Sequence, residues 1–403
     1  MSDRSSLKLI HPASATYDDF AARAIAIAAE LAKAGAKRDR EAGVPKAEID
    51  TLRKAGLLTA LHPTEIGGGG IRWAEALRLV RIISRGESSI GQLLGYHYVN
   101  AYVPYIAADE ARAHALGIET VEKGHYWGAV VNPRDAGLTL TRAAEGYRLN
   151  GRKTFSTAAH ISDRINVIAL LDGDIASLVL PTDRPGYFPG GDWDNIGQRL
   201  SDSGSVEFRD YAVTEADFLV PLAAPEAPLS PLATFNTPLI QLVFVNFYLG
   251  TAEGALAQAL DYVRTTTKPW ETSGVSRAAD DPYILERFGE FSASLKASAA
   301  LAENAALSVQ AALAKGHFVT EQERGEAAIE AYHAKVHATH VALEITARIF
   351  ELMGARATAS RYGFDRFWRN VRTHTLHDPV FYKAREVGNF VLNGEIPLVS
   401  LYS

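Results

Sequence analysis

The chain has no cysteine among its 403 residues. That absence removes disulfide scaffolds, zinc–thiolate sites, iron–sulfur clusters and a thiol nucleophile together. There is no excess of positive charge: 41 Lys and Arg stand against 47 Asp and Glu. Without a basic footprint, nucleic acid is not an expected partner. No uninterrupted apolar run approaches the ~20 residues of a membrane span, and Met1–Ser5 leads into a polar segment without a signal-type apolar core. A cytoplasmic protein is the expectation. What is present is ordinary globular composition, 47% hydrophobic and 22% charged, at a length that suits two or three domains.

The patterning divides the chain in three. Residues 1–125 read as a helical domain. Phe20, Ile25, Ile27 and Leu31 form an apolar stripe behind Thr16 and Asp19, which have capping-box spacing. Pro45 suits the first turn of a second helix, which Gly56 ends. Trp73–Arg85 carries a third. Ser88–Tyr105 is apolar nearly all round and is expected to be buried. Residues 126–228 read as an antiparallel β domain, with short segments at 126–132, 138–142, 147–156, 164–171, 176–180 and 205–211. Glu145-Gly146, Asn150-Gly151, Asp172-Gly173 and Pro185-Gly186 separate them. A Pro- and Ala-rich linker over 221–238 leads into a C-terminal helical domain, 229–403, with periodic stretches at 250–264, 282–315, 321–352 and 379–392. The fold class is α+β.

Chemistry concentrates in Arg369-Asn370-Val371-Arg372-Thr373-His374-Thr375-Leu376-His377-Asp378-Pro379. His374, His377 and Asp378 are three proton carriers within five positions, and imidazoles titrate near neutral pH. His97, alone on an apolar helix, reads by itself as a hydrogen-bonded core residue. His333, His337 and His340 share one helical face, which is a start for a metal site. One helix cannot enclose an ion, so a polar face and no metal are expected. Gly67–Gly70 lacks the Lys-Ser or Lys-Thr of a phosphate loop. Asn132 and Lys153–Thr157 end strands, where turn chemistry accounts for them.

Motifs in all three domains resemble the acyl-CoA dehydrogenase superfamily: Gly56-Leu57-Leu58, Pro63–Gly68, Leu149–Ser156 and Arg366–Asn370. Thr373–Pro379 and Val391–Pro397 look like its flavin-dependent monooxygenase branch, which includes dibenzothiophene and sulfone monooxygenases. The resemblance implies an N-terminal helical domain, a middle antiparallel β domain and a C-terminal helical bundle, assembled as a homotetramer. It implies a flavin between the β domain and the C-terminal helices. Phe155 and Ser156 would lie beside the ring, with the Ser156 hydroxyl near N5. Asn132 would lie at the pyrimidine edge or oxygen site. Trp193 and Arg199 would flank the ring or its phosphate tail. Arg369 would belong to the flavin-side scaffold, and Arg264 would reach the cofactor of a neighbouring subunit.

The resemblance also implies a reaction. Reduced FMN from a separate NAD(P)H-dependent reductase would meet O₂ and form a C4a-hydroperoxyflavin. That species would oxygenate a small organosulfur or aromatic substrate. His377 or His97 would control the proton, with His374 in support. Tyr96, Tyr98, Trp193, Phe235, Phe244 and Phe247 are aromatic candidates for the pocket wall. Two departures from the dehydrogenases matter. Glu351-Leu352-Met353-Gly354-Ala355 replaces their Gln-x-x-Gly-Gly, and a carboxylate there would repel the diphosphate of FAD. FMN is therefore expected, unless Glu351 is paired with a nearby arginine. Asp378 stands at the place of the dehydrogenase base, which keeps open an FAD-dependent acyl-CoA dehydrogenase or nitroalkane oxidase. Alternatively, Asp378 caps the helix that Pro379 opens.

Overall fold

Caps set the limits of the N-terminal helices. The computed structural model describes residues 15–132, 135, 137–221, 230–398 and 400. Within them lie α1 (Ala15–Lys33), α2 (Gly35–Glu41), α3 (Lys46–Lys54), α4 (Trp73–Gly86), α5 (Ser88–Ala107) and α6 (Glu110–Lys123). The expected cap at Thr16 lies outside the described side chains. Pro45 takes the cap position of α3, one residue before the first turn. Glu75 reaches back to the Arg72 backbone N–H at 2.8 Å and starts α4. The Asp109 carboxylate accepts from Arg112 N at 2.8 Å, and Gly124 ends α6 in a left-handed conformation. α5 is buried along most of its length, as its composition requires.

Seven strands form one curled sheet: β1 (Trp127–Val130), β2 (Leu138–Arg142), β3 (Tyr147–Lys153), β4 (Arg164–Leu171), β5 (Asp174–Pro181), β6 (Tyr187–Pro189) and β7 (Val206–Val213). The β2–β3, β3–β7, β4–β5 and β6–β7 pairings are antiparallel. The expectation of a purely antiparallel sheet needs correction at β4. β1 runs parallel to its first half, and β2 runs parallel to its end. The long connections between these strands permit parallel crossovers, which short hairpins do not. β5 covers the whole opposite edge of β4.

The chain returns to helix at Asn236. Residues 222–229 of the expected linker lie outside the described residues, and Pro238 belongs to the first turn of α7 (Asn236–Thr265). α8 (Pro282–Leu313), α9 (Glu321–Met353), α10 (Asp365–His374) and α11 (Val380–Asn393) follow. α7 is long and apolar enough to cross a membrane, yet its apolar stretch is buried inside the fold. It is the central core helix. The N- and C-terminal helices share one apolar core, whereas the sheet has its own. Ion pairs fasten the shared core at its rim. Arg78 of α4 pairs with Glu303 of α8, and Arg81 and Arg85 of α4 both pair with Glu253 of α7.

Two close approaches fix the helix spacing. A Cβ on Gly95 of α5 would come within 2.3 Å of Val243 Cγ1 on α7, and one on Gly250 of α7 would come within 2.2 Å of the Arg81 carbonyl oxygen. Glycine therefore lets the Val243 side chain lie against the backbone of α5, and the backbones of α7 and α4 meet.

Candidate active site

The site begins where the sheet loops meet α5 and α10. On α5, Ser88, Gln92 and Tyr96 recur every four residues and form a polar stripe on an otherwise apolar helix. On α10, Asn370 and His374 have the same spacing and lie opposite. Gln198, in the loop before β7, joins the two. Its backbone N–H donates to Asn370 Oδ1 at 2.7 Å and its side-chain amide to Ser88 Oγ at 2.9 Å. Gly197 packs so tightly on α10 that an added Cβ would lie 2.0 Å from the Arg369 carbonyl oxygen.

The neighbouring loops carry unusual backbone. Phe155 (φ 56°), Ala158 (64°), Gln198 (53°) and Asp202 (48°) are left-handed without being glycine. Such residues cost about 1–3 kcal/mol each and collect at functional sites. Local bonds hold them in place. Ser156 N–H donates to Gly204 O at 2.8 Å, and the His160 N–H and ring Nδ1 both reach the Asp202 carboxylate, at 2.6 and 2.7 Å. The resulting geometry leaves Phe155 66% exposed, with its ring edge-on to Trp193 at 6.1 Å. Trp193 itself is steadied by donating to Gln198 O at 2.8 Å. Ser156 Oγ and Arg199 Nε are buried with no hydrogen-bond partner. Asn132 Nδ2 donates to Thr154 Oγ1 at 3.4 Å, and its carbonyl accepts from Lys153 at 3.1 Å.

A second group lies deeper, between α7, α9 and α10. The His374 ring is wholly buried, with Phe244 and Phe247 each 4.6 Å away centre to centre. Its Nδ1 meets the Tyr248 hydroxyl at 2.8 Å and its Nε2 the Tyr96 hydroxyl at 3.0 Å. Burial, then the charges of His377 and Lys335, push His374 far below its usual range, so the ring is neutral. One tyrosine therefore donates to it and the other accepts. The His377 ring is half-exposed and stacks on His374 at 5.3 Å, almost parallel. Its Nδ1 faces Asp378 Oδ1 at 3.5 Å.

Lys335 of α9 closes this group. Its Nζ is 3.4 Å from Asp378 Oδ1 and 3.4 Å from the Tyr248 hydroxyl, and it lies over the Phe244 ring at 4.3 Å. The pair is unequally held. Complete burial weakens the ammonium and lowers it to about 8, against the pull of Asp378. Burial alone would raise Asp378, but Lys335 and then His377 hold its carboxyl well below the usual carboxylate range.

Several expected roles change in this geometry. His97 donates from Nε2 to Leu58 O at 2.7 Å and accepts from Trp127 N–H on Nδ1 at 3.0 Å. Both nitrogens are occupied and burial lowers the ring to about 3, so His97 is a core tie between α5, the 57–58 turn and β1. Asp378 does not cap α11, whose cap position is Pro379 without a side-chain bond; its carboxylate faces Lys335 and His377 instead. Arg369 bonds Asp39, Asp365 and Ile196 O. Its guanidinium is fully engaged as a strut between α2, α10 and the sheet loop. Tyr98 donates to Leu57 O and Phe235 is wholly buried, so both are core. Glu351 pairs with Arg348 and Arg287, the alternative that says nothing of the cofactor. Arg264 is exposed near the end of α7. His337 and His340 lie on the exposed face of α9.

Sequence reading missed Lys335 and Tyr248. The signal was present. Lys335 falls on the same face of α9 as Ala328, Ala331, Ala338 and Ala342, all buried, and a lysine in an apolar stripe is rarely idle.

An FMN suits the upper group. Phe155 offers an exposed and Trp193 a half-buried aromatic surface to a flat ring, Ser156 Oγ a buried unpartnered hydroxyl, and Arg199 Nε a buried unpartnered donor.

Models of the acyl-CoA dehydrogenase N-terminal and C-terminal domains match residues 15–117 and 242–380. Dibenzothiophene monooxygenase of Mycolicibacterium goodii is 41% identical over 376 residues, covering 90% of this chain and 91% of the relative. A probable FMNH2-dependent monooxygenase of Pseudomonas putida, SfnC, is 38% identical over 94% of this chain and 97% of its own length. The structure of TdsC from Paenibacillus sp. A11-2 with FMN and indole superposes with a TM-score of 0.89 at 39% identity, covering 95% of this chain and 100% of that one. With that fold and those loops in view, the chain belongs to the acyl-CoA dehydrogenase family. Its place within the family is the branch of flavin-dependent monooxygenases.

Proposed function

We propose that this protein is the oxygenase half of a two-component system, working in the cytoplasm on a small organosulfur or aromatic compound. The cofactor is FMN; a separate NAD(P)H-dependent reductase supplies it reduced. In net terms FMNH2, O₂ and the substrate give FMN, water and the oxygenated product. Bound reduced FMN supplies the electrons that activate O₂. The chain's own residues do the rest. Phe155, Trp193 and Ser156 hold the ring, and Arg199 donates to the cofactor. Phe244, Phe247 and Tyr96 exclude water on the substrate side. His377 keeps Nδ1 towards Asp378, which leaves Nε2 to hold or deliver a proton.

The observation that carries this reading is the state of Asp378. A dehydrogenase base must accept a proton from carbon, which calls for a carboxyl tuned upward. Here Lys335 Nζ and His377 Nδ1 both engage Asp378 Oδ1, at 3.4 and 3.5 Å, and hold the carboxyl well below the usual range, so it is too weak a base for that step and orients the imidazole instead. The apolar groups exposed on and beside α11, Phe381, Tyr382, Val391 and Leu392, together with the exposed Arg264, support assembly with further copies as a homotetramer.

The test uses ¹⁸O₂ with reduced FMN and a panel containing dibenzothiophene and indole. Incorporation of one labelled oxygen per FMN oxidised is expected. Anaerobic bleaching of bound FAD by an acyl-CoA or a nitroalkane, with no labelled product, would overturn the proposal in favour of the dehydrogenase.

A further inference from the structure

The buried charge of Lys335 is not required by the flavin loops or by the aromatic cage. Its neighbours on the core face of α9 are alanines, so packing alone would be served by an apolar side chain. An ammonium there needs compensation, which comes from two oxygens and two aromatic faces. The oxygens are Asp378 Oδ1 and the Tyr248 hydroxyl, both at 3.4 Å. The faces are Phe244 and Tyr248, at 4.3 and 5.0 Å to their centres. The carboxylate oxygen that meets the ammonium is also the one that meets His377 Nδ1. The tyrosine hydroxyl that meets it is also the one on His374 Nδ1. One buried cation thus stands behind both imidazoles.

We infer that Lys335 is a positioning residue: through Asp378 it sets the orientation of the His377 ring, and through Tyr248 it orders the Tyr248–His374–Tyr96 hydrogen-bond chain. This rests on the reading that His377 handles the proton in oxygenation. The Asp378 side chain is one quarter exposed, so without the ammonium it is free to turn towards solvent and release the ring. The charged and titratable groups facing Lys335 are Asp378 from the loop before α11, Tyr248 from α7, the charge of Lys383 from α11 and, across Asp378, His374 and His377. Because burial lowers the ammonium to about 8, raising the pH through that value discharges it and loosens the clamp.

The experiment compares wild type with Lys335→Met, Asp378→Asn and the double variant, as full-length protein. The first readout is flavin-free: the rate at which diethylpyrocarbonate modifies His377, followed by peptide mass spectrometry. His337 and His340, exposed on another face of α9, serve as internal standards. Orientation by a second group typically changes the behaviour of the first by ~10-fold or more, so a change of at least ~3-fold at His377, with the standards unchanged, is expected in all three variants. The second readout is product formed per FMN oxidised between pH 6.5 and 9.5. Wild type is expected to decline near pH 8; Lys335→Met is expected to give roughly 10-fold less product and to lack that decline. Unchanged His377 reactivity overturns the inference, even if no substrate is ever oxygenated. A loss of thermal stability alone, with His377 reactivity, product ratio and pH profile as in wild type, also overturns it. Where Lys335→Met does not fold, the double variant removes both charges of the pair, and Asp378→Asn tests the same link from the other side.

Discussion

A buried hydroxyl with no partner is a cost that a bound ligand can remove. Ser156 Oγ is in that position. Ser156→Ala should therefore leave flavin-free stability within about 0.5 kcal/mol of wild type, or raise it slightly. FMN affinity should fall, as isothermal titration would show; equal affinity would remove Ser156 from the cofactor site. His97 behaves in the opposite way. His97→Phe removes the partners of Leu58 O and Trp127 N–H, and each stranded group costs about 1–3 kcal/mol. Denaturant unfolding should register that loss, while any variant that still folds should oxygenate with near-normal coupling. The contrast also marks what the sequence could reveal. His374, His377 and Asp378 were legible as a cluster because they are adjacent in the chain. His97 by itself read as a hydrogen-bonded core residue, and only the resemblance offered it as a proton carrier; the partners that occupy its ring, Leu58 and Trp127, 39 and 30 positions away, were not legible.

At the level of elements, the joint between the sheet loop and α10 decides whether the upper and lower groups stay in register. Asn370 is its pin. It accepts from Gln198 N–H, and the Gln198 amide continues to Ser88, whose hydroxyl in turn accepts from Thr251 of α7 at 2.8 Å. Asn370→Ala should cost about 1–3 kcal/mol through the stranded Gln198 N–H. It should also speed amide hydrogen exchange over residues 193–204; unchanged exchange there would show that Gly197 packing alone holds the loop. α4, α8 and α9, through their periodicity, and α5, through its continuous apolar run, were readable within a residue or two. α2, α6 and α10 were not, because they are polar over most of their surface and take their form from a cap at Asp109 in α6 and from tertiary contacts through Asp39 in α2 and Gln198 at α10. The parallel pairings of β4 were hidden for a related reason. Strand direction follows from how the connections cross, and composition does not record that.

At the scale of the whole molecule, burial lowers four imidazoles among the described residues: His62, His97, His125 and His374. His62 is lowered to about 4, His97 to about 3, and His374 well below its usual range. Their unfolded values lie near 6.5, so below that pH the unfolded chain binds more protons than the folded one. Stability should therefore fall as pH drops from about 6.5 towards 4, by up to ~1.4 kcal/mol per histidine per pH unit. Melting temperatures at pH 7, 6 and 5 test this. A flat profile would contradict it, and His62→Asn should make the slope shallower. Large-scale order also limits how the enzyme can be altered. Where α5, α7 and α4 touch, a larger side chain at Gly95 would have to displace the Val243 side chain, and one at Gly250 the Arg81 backbone. Tyr96 and Tyr248 sit beside those contacts, so this side of the proposed substrate site is in effect closed to mutation. An engineer seeking new substrates should randomise the sheet-loop side around Phe155 and Trp193, where the exposed Phe155 ring leaves room. Libraries drawn on α5 or α7 should return mostly unfolded clones.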